Sequence, residues 1–286
     1  MARMMMSGRS WRRLGRAGLL YGALGLFVVV TLWPFYSMAV ASITPKELVF
    51  SVPPVYLPKP TLANFVALVE QLPFTAYLRN SLLFAIGSAV VSVAAAFLAA
   101  YGFVRFPVPG SGLILVALIA SMGLPEIVTV IPLYLVLNEL RLINTVTGLV
   151  LVMGSVLAPF TVWALVSFMR QVPKEMEEAA LIDGASLWQL LGRVVIPVMR
   201  PSLATLLLIN LISSWNYLLY PLVFTASPRA KTLTVAITEV FQARTPYGRP
   251  WELISALGVV MVVPMMLLVF VAERAIVSGL TRGSVK

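Results

Sequence analysis

The sequence predicts an all-α integral membrane protein with about six transmembrane helices, on three observations. Hydrophobic residues make up 60% of the 286 positions and charged residues only 11%, against roughly 25% charged in an average soluble domain. The apolar residues fall in six long runs almost free of charge, each near the ~20 residues a helix needs to cross a hydrocarbon layer about 30 Å thick. Basic residues flank those runs and do not interrupt them, as expected of segments whose ends face water. With no water in hydrocarbon, each run must keep its backbone hydrogen bonds internal, and so be helical.

In chain order the runs cover residues 17–40, 80–104, 112–137, 147–169, 202–226 and 253–272, the third broken only by Glu126. The organisation that follows is a cytosolic segment 1–16, a first span and external loop 17–75, a membrane core 76–274 and a cytosolic tail 275–286. Residues 42–79 carry Pro45, Pro53, Pro54, Pro58, Pro60 and Pro73, which suits a folded external loop better than a helix. Leu233 to Phe241 forms a candidate short interfacial helix in the second external segment. Pro34, Pro125, Pro132, Pro159, Pro221 and Pro264 lie inside or at the ends of spans, where each removes a donor and favours a kink.

Orientation follows from lysine and arginine placement. Arg3, Arg9, Arg12, Arg13 and Arg16 precede the first run and put the amino terminus in the cytosol. Six crossings return the carboxyl terminus, with Arg274, Arg282 and Lys286, to the same side, so that 13 of the 21 basic residues lie inside and 8 outside. Ala39-Val40-Ala41 resembles a signal cleavage site, but the first apolar stretch exceeds the 7–15 residues of a signal core, and an uncleaved span is the expectation.

The composition also excludes chemistry. Cysteine and histidine are absent, which removes thiol nucleophiles, thiolate or imidazole metal sites and every Ser-His-Asp or Cys-His arrangement. Asp183 is the only aspartate and lies outside the apolar runs, against a paired-aspartate protease. No Gly-Lys dipeptide exists, hence no Walker loop, and any ATP must be hydrolysed by another polypeptide. The formal charge of +10 is spread over helix ends without an aromatic-interleaved basic stripe, so nucleic acid is not the expected partner.

The cytosolic loop 170–200 reads as structured. Pro173 is preorganised for a first helical turn, and Glu175, Glu177 and Glu178 follow where the positive helix end favours carboxylates. A short helix should begin near Lys174. Gly184 suits a left-handed stop, and Ser186 a cap for a second helix with Leu187, Trp188, Leu190, Leu191, Val194 and Val195, closed by Pro197 and Pro201. Ala179 and Ala180 allow close approach of another backbone, with the glutamates offering charge pairing at the rim.

Glu178-Ala179-Ala180, three residues, Gly184, nine more, and Val194-Val195-Ile196-Pro197 resembles the EAA loop of ABC importer permeases. The stretch from Ile182 through Asp183, Gly184 and Ala185 to Ser186 is similar to the form common in the carbohydrate-uptake, maltose-permease-type branch. The resemblance covers roughly residues 80–286. Leu124-Pro125-Glu126 with Ile131-Pro132-Leu133-Tyr134, Trp215-Asn216 with Pro221-Leu222, and Gly279-Leu280-Thr281 with Gly283-Ser284-Val285-Lys286 are similar to the family's third and fifth spans and carboxyl terminus. Tyr217 stands where many members carry an acidic residue after the Trp-Asn pair.

The resemblance implies the type-1 ABC importer transmembrane fold and a translocation subunit without catalytic residues of its own. Glu178, Ala179, Ala180, Asp183, Gly184 and Pro197 would couple it to the ATPase. It further implies a second permease subunit, two ATP-binding subunits carrying ATP and magnesium, an external substrate-binding protein, and a place in a prokaryotic plasma membrane. The cargo would be a sugar or related polar solute. Glu126, as the one charge within a span, and Asn216, Tyr217 and Tyr220 are candidates for pathway or substrate contact, with interhelical bonding and packing as the alternative role of each. An ion-coupled secondary transporter and a membrane scaffold are the alternatives; neither accounts for the loop motif.

Overall fold

A computed structural model describes residues 2–53, 55–243 and 248–282, with side chains placed for 17–270 within those ranges. Pro54, residues 283–286 and the side chains of the basic amino-terminal segment therefore lie outside the described residues. The described chain is helical, with α1 (Ala2–Ile43), α2 (Ala63–Gln71), α3 (Phe74–Arg105), α4 (Ser111–Ser121), α5 (Glu126–Glu139) and α6 (Val146–Met169) in its first half. There follow α7 (Lys174–Ile182), α8 (Leu187–Leu190), a π turn (Leu191–Val195), α9 (Ile196–Trp215), α10 (Leu219–Phe224), α11 (Leu233–Gln242) and α12 (Trp251–Arg282). Among the described residues five helices are long and apolar enough to cross a membrane, and a sixth crossing is formed if the bent pair α4 and α5 is counted as one.

The chain divides into two compact units, Met1–Leu68 with Val240–Val260, and Val69–Glu239 with Met261–Lys286. In the first unit α1 is almost uncovered, with Leu19 78% and Phe27 66% exposed. An apolar helix bare on all sides is stable only where lipid or another apolar surface replaces water. Its carboxyl end is tied down by Asn64, whose amide donates to the carbonyls of Ser42 (2.9 Å) and Thr44 (2.8 Å). Tyr36 donates to the Tyr56 carbonyl across the proline-rich loop.

The second unit is built on α3, α6 and α9. Small residues let α3 and α6 approach: a Cβ on Gly87 would come within 2.9 Å of Val150, and one on Gly154 within 3.0 Å of Val91, the close packing that membrane helices use in place of a hydrophobic drive. Phe97, Leu165, Met169, Val195 and Leu206 form one buried cluster between these helices. A second cluster joins Phe84, Leu149, Met153, Tyr220 and Phe224.

Hydrogen bonds show which helix ends share a side. Arg105, at the end of α3, bonds the Val172 carbonyl just beyond α6. At the opposite end Asn80 donates to the carbonyls of Pro228 and Lys231, and Asn144, just before α6, donates to Ser227 Oγ. Helices α3 and α6 therefore run parallel, so residues 106–145 must carry the chain back across the bundle. This makes α4 and α5 a broken crossing and not a re-entrant hairpin.

The expectation of one continuous third span is corrected here, since α4 and α5 meet at 103°. Pro125 supplies the reason: it has no amide hydrogen to donate and drives the preceding residue away from helical angles. Residues 202–226 also prove discontinuous, with α9 ending at Trp215 and α10 beginning at Leu219. Conversely, Pro197 and Pro201 do not close the helix that starts at Leu187, which continues to Trp215. The ring of Pro197 displaces the carbonyl that a regular turn would use. The turn widens, and the Ile196 amide bonds Leu191 five residues back. Helix α11 forms as expected, with Leu233, Val235 and Ala236 buried inside the protein.

Among the glycines of residues 17–270, Gly148 is the tightest, since a Cβ there would sit 2.3 Å from the Leu142 carbonyl oxygen. Gly148→Ala is expected to lower stability by about 2 kcal/mol, read as a lower melting temperature of the purified protein, whereas Gly102→Ala, with open space around it, leaves melting unchanged.

Candidate functional site

Two regions carry the candidate residues. At the break between α4 and α5, Glu126 occupies the first turn of α5, where the helix dipole favours its negative charge. Tyr217, in the break between α9 and α10, donates to Glu126 Oε2 at 2.7 Å. Tyr217 stacks on Tyr220 with centroids 5.0 Å apart, and Tyr220 stacks on Phe224 at 5.6 Å. The Tyr220 hydroxyl lies 2.9 Å from Thr129 Oγ1, which itself donates to the Glu126 carbonyl. Two interrupted helices thus meet through their polar side chains, the arrangement in which irregular backbone is tolerated at membrane depth.

Beside this junction a cavity of about 580 Å³ is lined by Glu126, Thr129, Pro132, Ser155, Pro159 and Tyr220, among other residues. Three of the four pathway candidates are brought together: Glu126, Tyr217 and Tyr220. Asn216 is not with them in bonding, since its amide is spent on the Ile212 carbonyl at the end of α9 (2.9 Å).

The second region is the turn between α7 and α8. Gly184 has φ +82°, a left-handed conformation that glycine adopts without the Cβ penalty. Ser186 and Gln189 form a reciprocal capping box at the start of α8, so both ends of the turn are locally determined. Glu178, Ala179, Asp183 and Gly184 are exposed there, and Ala180 is half-buried. Leu181, Ile182 and Trp188 are exposed too, Ile182 at 86%, giving the turn an apolar tip. Pro197 is not part of this surface; it lies half-buried in the helix beyond the π turn.

The glutamates of α7 separate in role. Glu177 does not sit at an open rim: it is buried and paired with Arg105 at 2.5 Å. Only the alternation of helical faces hinted at this in the sequence, because Arg105 is 72 residues away. A polar cluster in the bundle core was missed as well. Asn210 on α9 donates to Thr161 on α6 (3.0 Å) and Ser92 on α3 (3.2 Å), all three fully buried. Asn210, one of two asparagines in the apolar run 202–226, was its signal in the sequence. Among the described residues no group of three or more acidic side chains comes together as a metal site.

A bundle with broken helices around a polar junction, and a capped helix-turn-helix projecting from one end, is the architecture of a transport permease. The sequence profile described as "Binding-protein-dependent transport system inner membrane component" matches residues 92–282, and the chain belongs to that family. It is 33% identical over 276 residues to a trehalose/maltose transport system permease of Thermococcus litoralis, covering 96% of this chain and 98% of that one. It is also 33% identical over 227 residues to a sulfoquinovosyl glycerol transport system permease of Agrobacterium fabrum, covering 79% of each. The fold matches a chain in the crystal structure of a bacterial ABC transporter involved in import of alginate, with a TM-score of 0.79, 21% identity, and 93% and 97% of the two chains covered.

Asn210→Ala removes the donor shared by Thr161 and Ser92. It is expected to cost about 1 kcal/mol, seen as a lower melting temperature in detergent, with Asn210→Gln recovering part of the loss.

Proposed function

We propose that this chain is the translocation subunit of an ATP-driven importer that carries a sugar or related polyhydroxylated solute delivered by an external binding protein. The observation that carries this reading is the exposed, capped turn at 178–188 at one end of the α3, α6 and α9 bundle, in a chain of the binding-protein-dependent permease family. Ala179, Gly184, Leu181 and Ile182 present small and apolar surface that a separate protein would cover. The reading assigns that cover to ATP-hydrolysing subunits, with ATP and magnesium bound there and not here. It places the turn, Arg105 and both termini in the cytosol, and residues 42–73 outside. A second permease completes the pathway, and residues 76–274, including the loop 170–200, form the permease core.

The solute class is inferred from the junction and from the relatives' names. Glu126, Thr129 and Tyr220 line a cavity whose ~580 Å³ lies within the 300–1,000 Å³ typical of small-ligand sites. Carboxylate and hydroxyl groups match sugar hydroxyls, and the stacked tyrosines offer a flat apolar face to a ring. Tyr217 holds the Glu126 carboxylate in place for that contact. Asn216 is assigned to ending α9.

Two tests separate these parts. Gly184→Asp strains a left-handed backbone and adds charge, and Glu178→Lys reverses an exposed charge. Each is expected to cut uptake at least ~100-fold and weaken copurification of the ATPase subunits while leaving membrane insertion intact. Uptake at the normal level in both variants would refute the coupling assignment. Tyr217→Phe is expected to raise the KM of uptake about 10-fold, with a smaller change in kcat, for loss of one charge-assisted hydrogen bond, measured with radiolabelled solute.

A further inference from the structure

We propose that the buried Arg105–Glu177 pair is the strut that transmits movement of the α7 turn into α3, making Arg105 and Glu177 positioning residues of the transport cycle. The proposal rests on the coupling role assigned above to the turn at 178–188.

Glu177 is the buried carboxylate of α7, its side chain 7% exposed and that of Arg105 9%. Both its oxygens are engaged: Oε1 accepts from Arg105 Nε at 2.8 Å and Nη2 at 2.5 Å, and Oε2 accepts from the Tyr101 hydroxyl at 3.2 Å. Arg105 Nη2 also donates to the Val172 carbonyl at 2.9 Å. One guanidinium thereby joins the end of α3, the α6–α7 connection and α7 itself. By contrast, Glu175 and Glu178 on the same short helix are exposed.

The turn has three mechanical routes into the bundle. Two are covalent: back through residues 170–173 to α6, and forward through α8 and the π turn to α9, a π turn being a widened, less regular segment of helix. The third runs through Glu177 to Arg105, the last residue of α3, and is the direct one to α3. A buried, charge-assisted and multiply bonded contact has little freedom to slide. Helix α3 in turn carries Ser92, bonded within the Asn210 cluster, and Asn80, which holds the opposite end of the unit. A displacement of α7 reaches that far end through α3 without passing the π turn.

The test uses the complete importer reconstituted with its ATPase subunits and binding protein, scoring complex assembly, ATP hydrolysis and solute transported. Glu177→Gln keeps shape and one acceptor but removes the charge. The expected result is a lower melting temperature, because Arg105 stays buried without its counter-charge, with assembly and ATP hydrolysis retained and solute moved per ATP reduced at least ~10-fold. The charge-swapped pair Arg105→Glu with Glu177→Arg is expected to recover at least a third of that ratio. A normal transport-to-hydrolysis ratio in Glu177→Gln overturns the strut, as does loss of ATPase association in that variant, which would mark a merely structural contact. An assembled swapped pair that fails to recover also overturns it. If Glu178→Lys and Gly184→Asp leave uptake unchanged, the coupling assignment itself fails. If they abolish it while Glu177→Gln transports normally, only the strut fails.

Discussion

The second unit depends on the close, parallel contact of α3 and α6. Gly87 and Gly154 bring the two backbones together where larger side chains would meet Val150 and Val91. Lipid tails are as apolar as the side chains they would replace, so association in a bilayer must come from tight packing and buried hydrogen bonds. The Ser92, Thr161 and Asn210 cluster adds α9 to the same contact. Because α3 and α6 point the same way, everything between them has to return across the bundle, and the broken pair α4 and α5 is the consequence.

Breaks in the helices fall where chemistry is concentrated. The interruption before Glu126 and the one at Tyr217 face each other, and the two residues close the gap with a 2.7 Å hydrogen bond. Freed backbone groups at such depth need polar neighbours or water, so a polar junction beside a cavity is a physical requirement of breaking two helices there. In the proposed reading the same feature serves transport, since a route for a hydrophilic solute needs polar groups that are not consumed by regular helix bonding.

At the other end of the unit the polar groups serve a different purpose. Gly184 and the Ser186 capping box shape a turn from local interactions alone, while Glu177 and Arg105 anchor it through a contact 72 residues apart in sequence. Removing either partner would leave an uncompensated buried charge, which is far more costly than an exposed pair is worth. The turn is therefore free at its tip and held at its base, as a projecting element must be if force on it is to reach the bundle.

Much of this was legible in the sequence because its causes are local. Six apolar runs with basic flanks, the start of α7 near Lys174, the left-handed stop at Gly184 and the cap at Ser186 each follow from residues within one or two turns. The EAA-type spacing likewise lies within a single loop, which is why family membership could be read there. The tertiary structure alone decided what depends on distant partners: the burial of Glu177 against Arg105, the joining of Ser92, Thr161 and Asn210, and the meeting of Glu126 with Tyr217. It also decided where proline breaks a helix, at Pro125, and where it does not, at Pro197. A proline removes a donor in either place, and whether the chain bends or absorbs the loss in a π turn depends on what packs around it.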